Sequence, residues 1–473
     1  MYFTTLGYGN IIFIKIKIKL KKVSLLVTDF IEEHMKEFEK LLAKIISFKS
    51  EKGLRKEQNA IISFLTDLLT GMLDADVKVI DTKGAPIIIA KIKGESLATK
   101  LFYGHYDVMP AGSIDDWQSS PFTLEKRKGR FWGRGTGDNK GQLMAVIFGL
   151  YMYKKTHPTF PFNIQLVIEG EEEQGSTHLP GTIAQLLDDL LVDVDSAFVF
   201  DGSINQQAQH VLRLGNRGAL GFEMVTHTAL RDNHSGNMGN IMENAALSLL
   251  SVVNKMYDEI QSKVLIPGFY DGIREPNKQE ITWLSKLPYD YKLIEKQTGV
   301  KKLPINSQDY YHKLMYEPTF NISGIEAGYT KKGMKTIIPH RASLKVDCRI
   351  VKNQNIKNIK AEIEKMFAQK IKSKELEIKY LVEIPASFTS SEAPDINRIC
   401  KALEEIDGVA LVEPVMPGTV PNYIWTDILQ VPTYTIPLAN FDQANHAPNE
   451  NLTLIAFRTG IMLVNKIIEN LAV

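Results

Sequence analysis

Apolar residues recur at steps of three and four from about Asp29. In "DFIEEHMKEFEKLLAKIISFKS", Met35, Phe38, Leu42 and Ile45 fall on one face. Acids crowd the first turn, where the helix dipole favours them, so this stretch predicts a helix. "KEQNAIISFLTDLLTGML" predicts a second. Short β-branched runs then alternate with helical patterns. "KVIDT", "PIIIAKI" and "ATKLFYG" read as strands, "NKGQLMAVIFGLYMYKK" as a helix, and "FNIQLVIEG" and "SAFVFDG" as strands again. That alternation predicts an α/β sheet covered by helices on both faces.

After about Gly215 the pattern changes. A strand at "GALGFEMVTHTA" leads into a loop and helix in "RDNHSGNMGNIMENAALSLLSVVNKMY". A stretch from Gly268 to Ser323 reads as long and irregular. Paired strands at "FNISGIEAGYT" and "TIIPHRASLKVDCRIV", a helix at "NIKNIKAEIEKMFAQKI" and a strand at "LEIKYLVEI" follow. The order β-α-β-β-α-β is ferredoxin-like. The first pattern then resumes, with a helix at "SEAPDINRICKALEEI", a strand at "TYTIPLA" and a helix from Asn451. The expected organisation is a catalytic domain from residues 29–215 and 386–473, with an α+β domain at 216–385 inserted into it. Residues 1–28, "MYFTTLGYGNIIFIKIKIKLKKVSLLVT", carry lysine at every second position of an apolar run. That is poor for a signal peptide and worse for a spanning helix. We read this segment as a disordered extension, with a lysine-faced edge strand as the alternative.

Composition narrows the class. The 473 residues exceed one ordinary core, and 44% apolar with 23% charged content is that of a globular protein. With 56 basic and 55 acidic residues and no strong basic stripe, nothing points to nucleic acid or a membrane partner. Cys348 and Cys400 lie far apart and outside any CxxC pattern. They suit a reducing cytoplasm, and they leave any metal site to His, Asp and Glu.

The candidate chemistry clusters where predicted strands end, which is where α/β sheets place their sites. "GHYDVMP" puts His105 and Asp107 two residues apart, "GRGTGDNKG" puts Asp138 in a glycine-rich turn before a helix, and "EGEEEQGS" follows an apolar strand with four acids in five residues. Asp201 ends "FVFDGS", and His446 lies in "NFDQANHAPNE". Each has a plain structural reading: a polar loop, a helix N-cap, a solvated acidic loop, a lone surface histidine. Together they supply imidazole and carboxylate donors without thiolate, a set that suits zinc, manganese or cobalt. Two neighbouring metals need one bridging carboxylate, four terminal ligands and a spare carboxylate as base, and the count fits.

The ordered set H-x-D, G-R-G-x-x-D-x-K-G, E-E-x-G-S and a late H-x-x-N-E resembles the dizinc metallopeptidase family of carnosinases, glutamate carboxypeptidases, succinyl-diaminopimelate desuccinylases and aminoacylase. The resemblance covers nearly all of the chain from about Asp29. It implies a zinc-exopeptidase-like α/β catalytic domain with an inserted ferredoxin-like lid or dimerisation domain. It implies that His105 and Asp201 bind one metal, that Glu173 and His446 bind the other, and that Asp138 bridges them. Asp107 would hold the His105 ring. Glu172 would be the base, taking a proton from a water activated by the two metals and passing it to the leaving amine. Asn139 departs from the family, which often has a second acid there, so tuning rather than loss is expected.

In the inserted domain, "RDNHSG" resembles the family's D-x-H-S-G segment, which would make His234 the group that polarises the scissile carbonyl. "KTIIP" and "DCRI" resemble the elements that hold the substrate's carboxylate, through Thr336 and Arg349. "PGTVPNY", with Gly418 and Thr419, resembles a substrate loop. The expectation is a cytoplasmic metallopeptidase with two divalent ions, zinc first and manganese or cobalt as alternatives. It would cleave the peptide bond of dipeptides or short peptides next to a free C-terminal carboxylate. An N-acyl amino acid deacylase on the same scaffold is the first rival, and a non-catalytic binding protein the distant one. The resemblance further implies a homodimer in which His234 serves the partner's site.

Overall fold

Helix α1 (29–46) turns its apolar face inward, so that Phe38 is fully buried and its ring stacks on Phe148 with centroids 4.0 Å apart. Such a stacked pair adds about 0.5–1.5 kcal/mol beyond the area it buries. Phe148 lies on α3 (Lys140–Thr156), and α2 (Arg55–Leu73) buries Ile61, Leu65 and Leu69 on one stripe. The computed structural model describes residues 29–191, 193–300 and 305–472. The extension expected at residues 1–28 lies outside them. The chain forms two compact units: Arg213–Ser391 with Val412–Gln430 make the second, and the remaining described residues make the first.

The first unit is built on a sheet of eight strands. β1 (Asp76–Ile80), β2 (Ile87–Ile92), β3 (Thr99–His105), β4 (Asn163–Glu169) and β5 (Val194–Val199) stand in the order β1-β2-β4-β3-β5. The sheet continues through Thr433–Thr435, Val211–Arg213 and Leu411–Glu413. β1 and β2 pair antiparallel, as do β2 and β4. β4, β3, β5 and Thr433–Thr435 run parallel. The sheet is therefore mixed. Its parallel centre reads as nearly continuous apolar runs because helices cover it and both faces are buried. β3 and β4 end in register, His105 opposite Glu169, so the residues following each of them emerge on one edge.

The second unit has the β-α-β-β-α-β order read from its periodicity. Strands Gly218–His227, Thr319–Ala327, Arg341–Ile350 and Leu376–Ile384 form an antiparallel sheet, in which Gly218–His227 lies between the last two and Thr319–Ala327 pairs with Arg341–Ile350. Leu220, Phe222 and Met224 alternate inward and pack with Val346 of the neighbouring strand and with Leu249 and Ile363, which project from helices Ala245–Met256 and Ile356–Met366. Only one sheet face is covered, so the alternation of period two is clean.

The stretch expected to be irregular between Gly268 and Ser323 is instead punctuated by three short helices, Lys278–Leu284, Tyr291–Thr298 and Ser307–Tyr316. Each starts at a capping side chain: Asn277 in a capping box with Glu280, then Asp290 and Asn306. They are too short to show an apolar stripe, but their N-caps were visible in the sequence. Among the described residues, no helix is long and apolar enough to cross a membrane.

Candidate metal centre

β3 ends at His105, and Asp107 lies beyond it, so the two do not share a strand face as the i, i+2 spacing suggested. They meet all the same. His105 Nδ1 lies 3.2 Å from Asp107 Oδ1 and 3.2 Å from the Asp107 carbonyl oxygen, and both residues are fully buried. With Nδ1 held by acceptors, Nε2 is the nitrogen turned to the site, 3.2 Å from Asp138 Oδ1, 3.8 Å from Asp201 Oδ2 and 3.9 Å from Glu172 Oε2. Asp107 also accepts the backbone N–H groups of Glu172 and Glu173 at 3.2 and 3.1 Å. One carboxylate thus orients the histidine and pins the acidic turn after β4.

Asp138 sits where the glycine-rich turn enters α3. Asn139 occupies the N-cap position, so the Asp138 carboxylate is not used in capping. Its Oδ1 faces His105, and its Oδ2 faces His446 Nε2 at 3.2 Å. His446 Nε2 also lies 3.0 Å from Glu173 Oε2. Two groups of three donors result, His105/Asp138/Asp201 and Asp138/Glu173/His446, with the donor atoms in each group within 4.8 Å of one another. Asn139, where the family often has an acid, accepts the His105 N–H through Oδ1 at 3.3 Å and donates to the Phe200 carbonyl at 2.8 Å. It ties the end of β3 to the residue before Asp201.

The electrostatics of this cluster call for a cation. Burial, then the Asp138 charge, pushes Asp201 up to about 6. Burial, opposed by His105 and reinforced by the Asp201 and Asp138 charges, holds Glu172 well above the usual carboxylate range. Burial works against the His105 imidazolium, but hydrogen bonds to Asp107 and Asp138 outweigh it and hold that ring well above its ordinary value. Hydrogen bonds to Asp138 and Glu173 push His446 up to about 10. Without a metal these carboxylates hold protons on the histidines. A divalent cation does the same work with its own charge and releases the imidazole lone pairs as ligands. The all-nitrogen-and-oxygen donor set and the hydrogen-bonded His105 ring fit zinc or a similar ion.

Periodicity did not pick out several groups that shape this site. Glu169, fully buried at the end of β4, accepts from the Tyr103 hydroxyl at 2.5 Å and the Ser176 hydroxyl at 2.7 Å. Glu171 pairs with His178 at 2.6 Å and belongs to neither donor group. The run "EGEEE" is therefore four acids with four different partners rather than a solvated loop. Glu450, the last letter of the late H-x-x-N-E motif, is also buried and accepts from Arg134 Nη1 at 2.7 Å.

The substrate-binding candidates lie in the second unit. His234 Nδ1 accepts the Gly236 N–H at 2.9 Å, so the ring proton of the neutral form sits on Nε2, 3.3 Å from Thr336 Oγ1. The segment is held by Asn233 and His234 pairing with Ile338 and Ile337, and by Asp232, which accepts the His340 N–H and ring nitrogen at 3.1 and 2.6 Å. His340, which matched no motif, therefore braces the His234 segment. Arg349 Nη1 donates to Thr419 Oγ1 at 2.7 Å, and its Nε is 3.8 Å from Asp347, too loose an ion pair to neutralise it. The Thr419 hydroxyl donates to the Arg217 carbonyl at 2.8 Å. Burial, then repulsion by Arg349, lowers the Arg217 guanidinium to about 10. Gly418, beside Thr419, leaves its side exposed.

The chain is similar to curated dipeptidases and to a solved metallo-carboxypeptidase. The rat Beta-Ala-His dipeptidase is 25% identical over 449 residues, covering 89% of this chain and 90% of the relative. The Candida albicans Cys-Gly metallodipeptidase DUG1 is 26% identical over 456 residues, covering 91% of this chain and 94% of the relative. Among solved structures, the M20 family metallo-carboxypeptidase Sso-CP2 from Sulfolobus solfataricus superposes with a TM-score of 0.83 at 28% identity, covering 92% of this chain and 99% of that one. The sequence pattern of the Peptidase family M20/M25/M40 matches residues 101–470. The chain belongs to that peptidase family.

Proposed function

We propose that the protein is a metal-dependent dipeptidase that cleaves the peptide bond beside a free C-terminal carboxylate. One observation carries the reading: the two oxygens of Asp138 face two different histidines, each at 3.2 Å, and each completes a separate group of three donors. In this reading His105 and Asp201 hold one ion, Glu173 and His446 hold a second, and Asp138 is shared. When bound, two divalent ions, zinc by preference, supply Lewis acidity and lower the pKa of water at the site. Glu172 is the proton carrier. Its carboxylate takes a proton from the attacking water and returns it to the departing amine nitrogen. Asp107 keeps His105 Nε2 facing the site. The Nε2–H of His234 donates to the carbonyl oxygen as negative charge develops there. Arg349, with Thr419, Gly418 and Thr336, receives the substrate's terminal carboxylate. We further propose that the enzyme works as a homodimer.

The names of the relatives, a Beta-Ala-His dipeptidase and a Cys-Gly metallodipeptidase, support short unblocked peptides over N-acyl amino acids. A panel of free dipeptides, their C-terminal amides, and N-acetyl and N-succinyl amino acids tests the reading. Free dipeptides are expected to be turned over best. Arg349→Met should lower kcat/KM for free acids by roughly 1.5 to 3.5 powers of ten, as losing a desolvated charged contact costs about 2–5 kcal/mol, and should change amide turnover little. Equal wild-type turnover of acids and amides would remove Arg349 from this role, and preference for N-acyl amino acids would make the protein a deacylase.

A further inference from the structure

Glu450 is the most heavily used acceptor near the centre and has no place in the chemistry described above. Its carboxylate accepts the Arg134 guanidinium at 2.7 Å, the Gly135 N–H at 3.1 Å, and the Gly137 and Asp138 N–H groups at 2.9 Å each. Its own carbonyl accepts the Gly133 N–H at 3.0 Å. All of these donors come from the turn that presents Asp138. Glu450 itself lies four residues after His446, in the loop that presents His446 with a backbone φ of 58°.

The turn's composition follows from this wrapping. Gly135 adopts φ +88°, and a Cβ on Gly137 would come within 1.9 Å of Gln443 Oε1. The backbone must curl closely enough for three N–H groups to converge on one carboxylate, and side chains at these positions would prevent it. Arg134 is nearly fully buried, and Glu450 is the carboxylate that pairs with its charge, while its Nη2 donates to the Pro110 carbonyl at 3.3 Å.

We propose that Glu450, with Arg134, is the positioning residue that sets Asp138 against His446, and so governs the Asp138/Glu173/His446 group more than the His105/Asp138/Asp201 group. The proposal rests on reading those groups as metal sites. The asymmetry follows from how the donors are held. His105 ends a central parallel strand and Asp201 follows another, and neither depends on Glu450. Asp138 and His446 lie on two loops that Glu450 joins.

The test is a zinc titration of chelator-stripped protein, followed calorimetrically, for wild type, Glu450→Gln, Arg134→Lys and Asp138→Asn. Gln keeps the shape of Glu, but it removes the charge facing Arg134 and sets an NH2 group against a donor. One binding step of Glu450→Gln is expected to lose about 10–100-fold in affinity, the usual effect of removing a group that orients a ligand, while the other changes less than about threefold. Arg134→Lys, which keeps the charge but loses the planar fork, should show the same asymmetry and decides the matter if Glu450→Gln does not fold. Affinities unchanged at both steps, or lowered equally, in a folded variant would overturn the proposal. Asp138→Asn separates the two levels: if it binds two zinc ions as tightly as wild type, the metal-site reading itself fails. If it loses zinc while Glu450→Gln does not, only the positioning role fails.

Discussion

Glu172→Ala is expected to retain both metal ions and to lose about 10³-fold or more in kcat, the upper part of the range for removing a general base. Glu172 and Glu173 are adjacent in sequence, and a short turn points them to different tasks. Glu173 Oε2 is 3.0 Å from His446, within one group of donors, and its Oε1 accepts the Met109 N–H at 3.1 Å, which holds the carboxylate in place. Glu172 Oε2 lies 3.9 Å from His105 Nε2, beyond a direct hydrogen bond, and its carboxylate belongs to neither group of three donors. Glu173→Ala should therefore lose metal as well as activity. Metal content by atomic emission after desalting, read beside kcat, separates the two. A Glu172→Ala protein that loses a metal, paired with a Glu173→Ala protein that keeps both, would exchange the two roles.

His234→Ala should cost about 10²–10³-fold in kcat, as expected for removing one donor to a developing oxyanion. The Gly236 N–H at Nδ1 leaves the proton of the neutral ring on Nε2, which makes that nitrogen the donor. Co-expression decides which subunit it serves. His234→Ala and Glu172→Ala homodimers should each be nearly inactive. If His234 works in the partner's site, a mixed dimer has one site with both groups intact. Random pairing makes half of the dimers mixed, each with one good site of two, so about a quarter of wild-type activity returns. Mixed dimers that form and stay inactive would assign His234 to its own chain.

How far the sequence reached depended on what made each feature. The sheet strands and the two layers of the second unit are periodic, and hydrophobic burial writes that periodicity into the chain. Alternation alone turns Leu220, Phe222 and Met224 to one side of their strand, and that side is the buried one. The donor candidates were legible because they sit in short motifs, at or after strand ends for His105, Glu173 and Asp201 and in loops for Asp138 and His446, whose order resembles that of one family. Asp107 met His105 by a turn rather than by strand alternation, so that argument reached the right pair through the wrong geometry. The three helices between 278 and 316 were missed because capping side chains, not an apolar stripe, define them. Glu169, Glu450, Arg217 and His340 escaped for a different reason. Each gains its meaning from a partner that is distant in sequence or silent in composition: a hydroxyl, a backbone N–H, or a second arginine brought near by folding.

The central claim is that a pair of metal ions sharing Asp138 makes this chain a peptidase. The most direct measurement strips the protein with a chelator and follows hydrolysis of a free dipeptide as zinc is returned in measured equivalents. The account predicts no turnover without metal and a rise that saturates at two ions per chain. Saturation at one ion, or turnover that survives stripping, would contradict it.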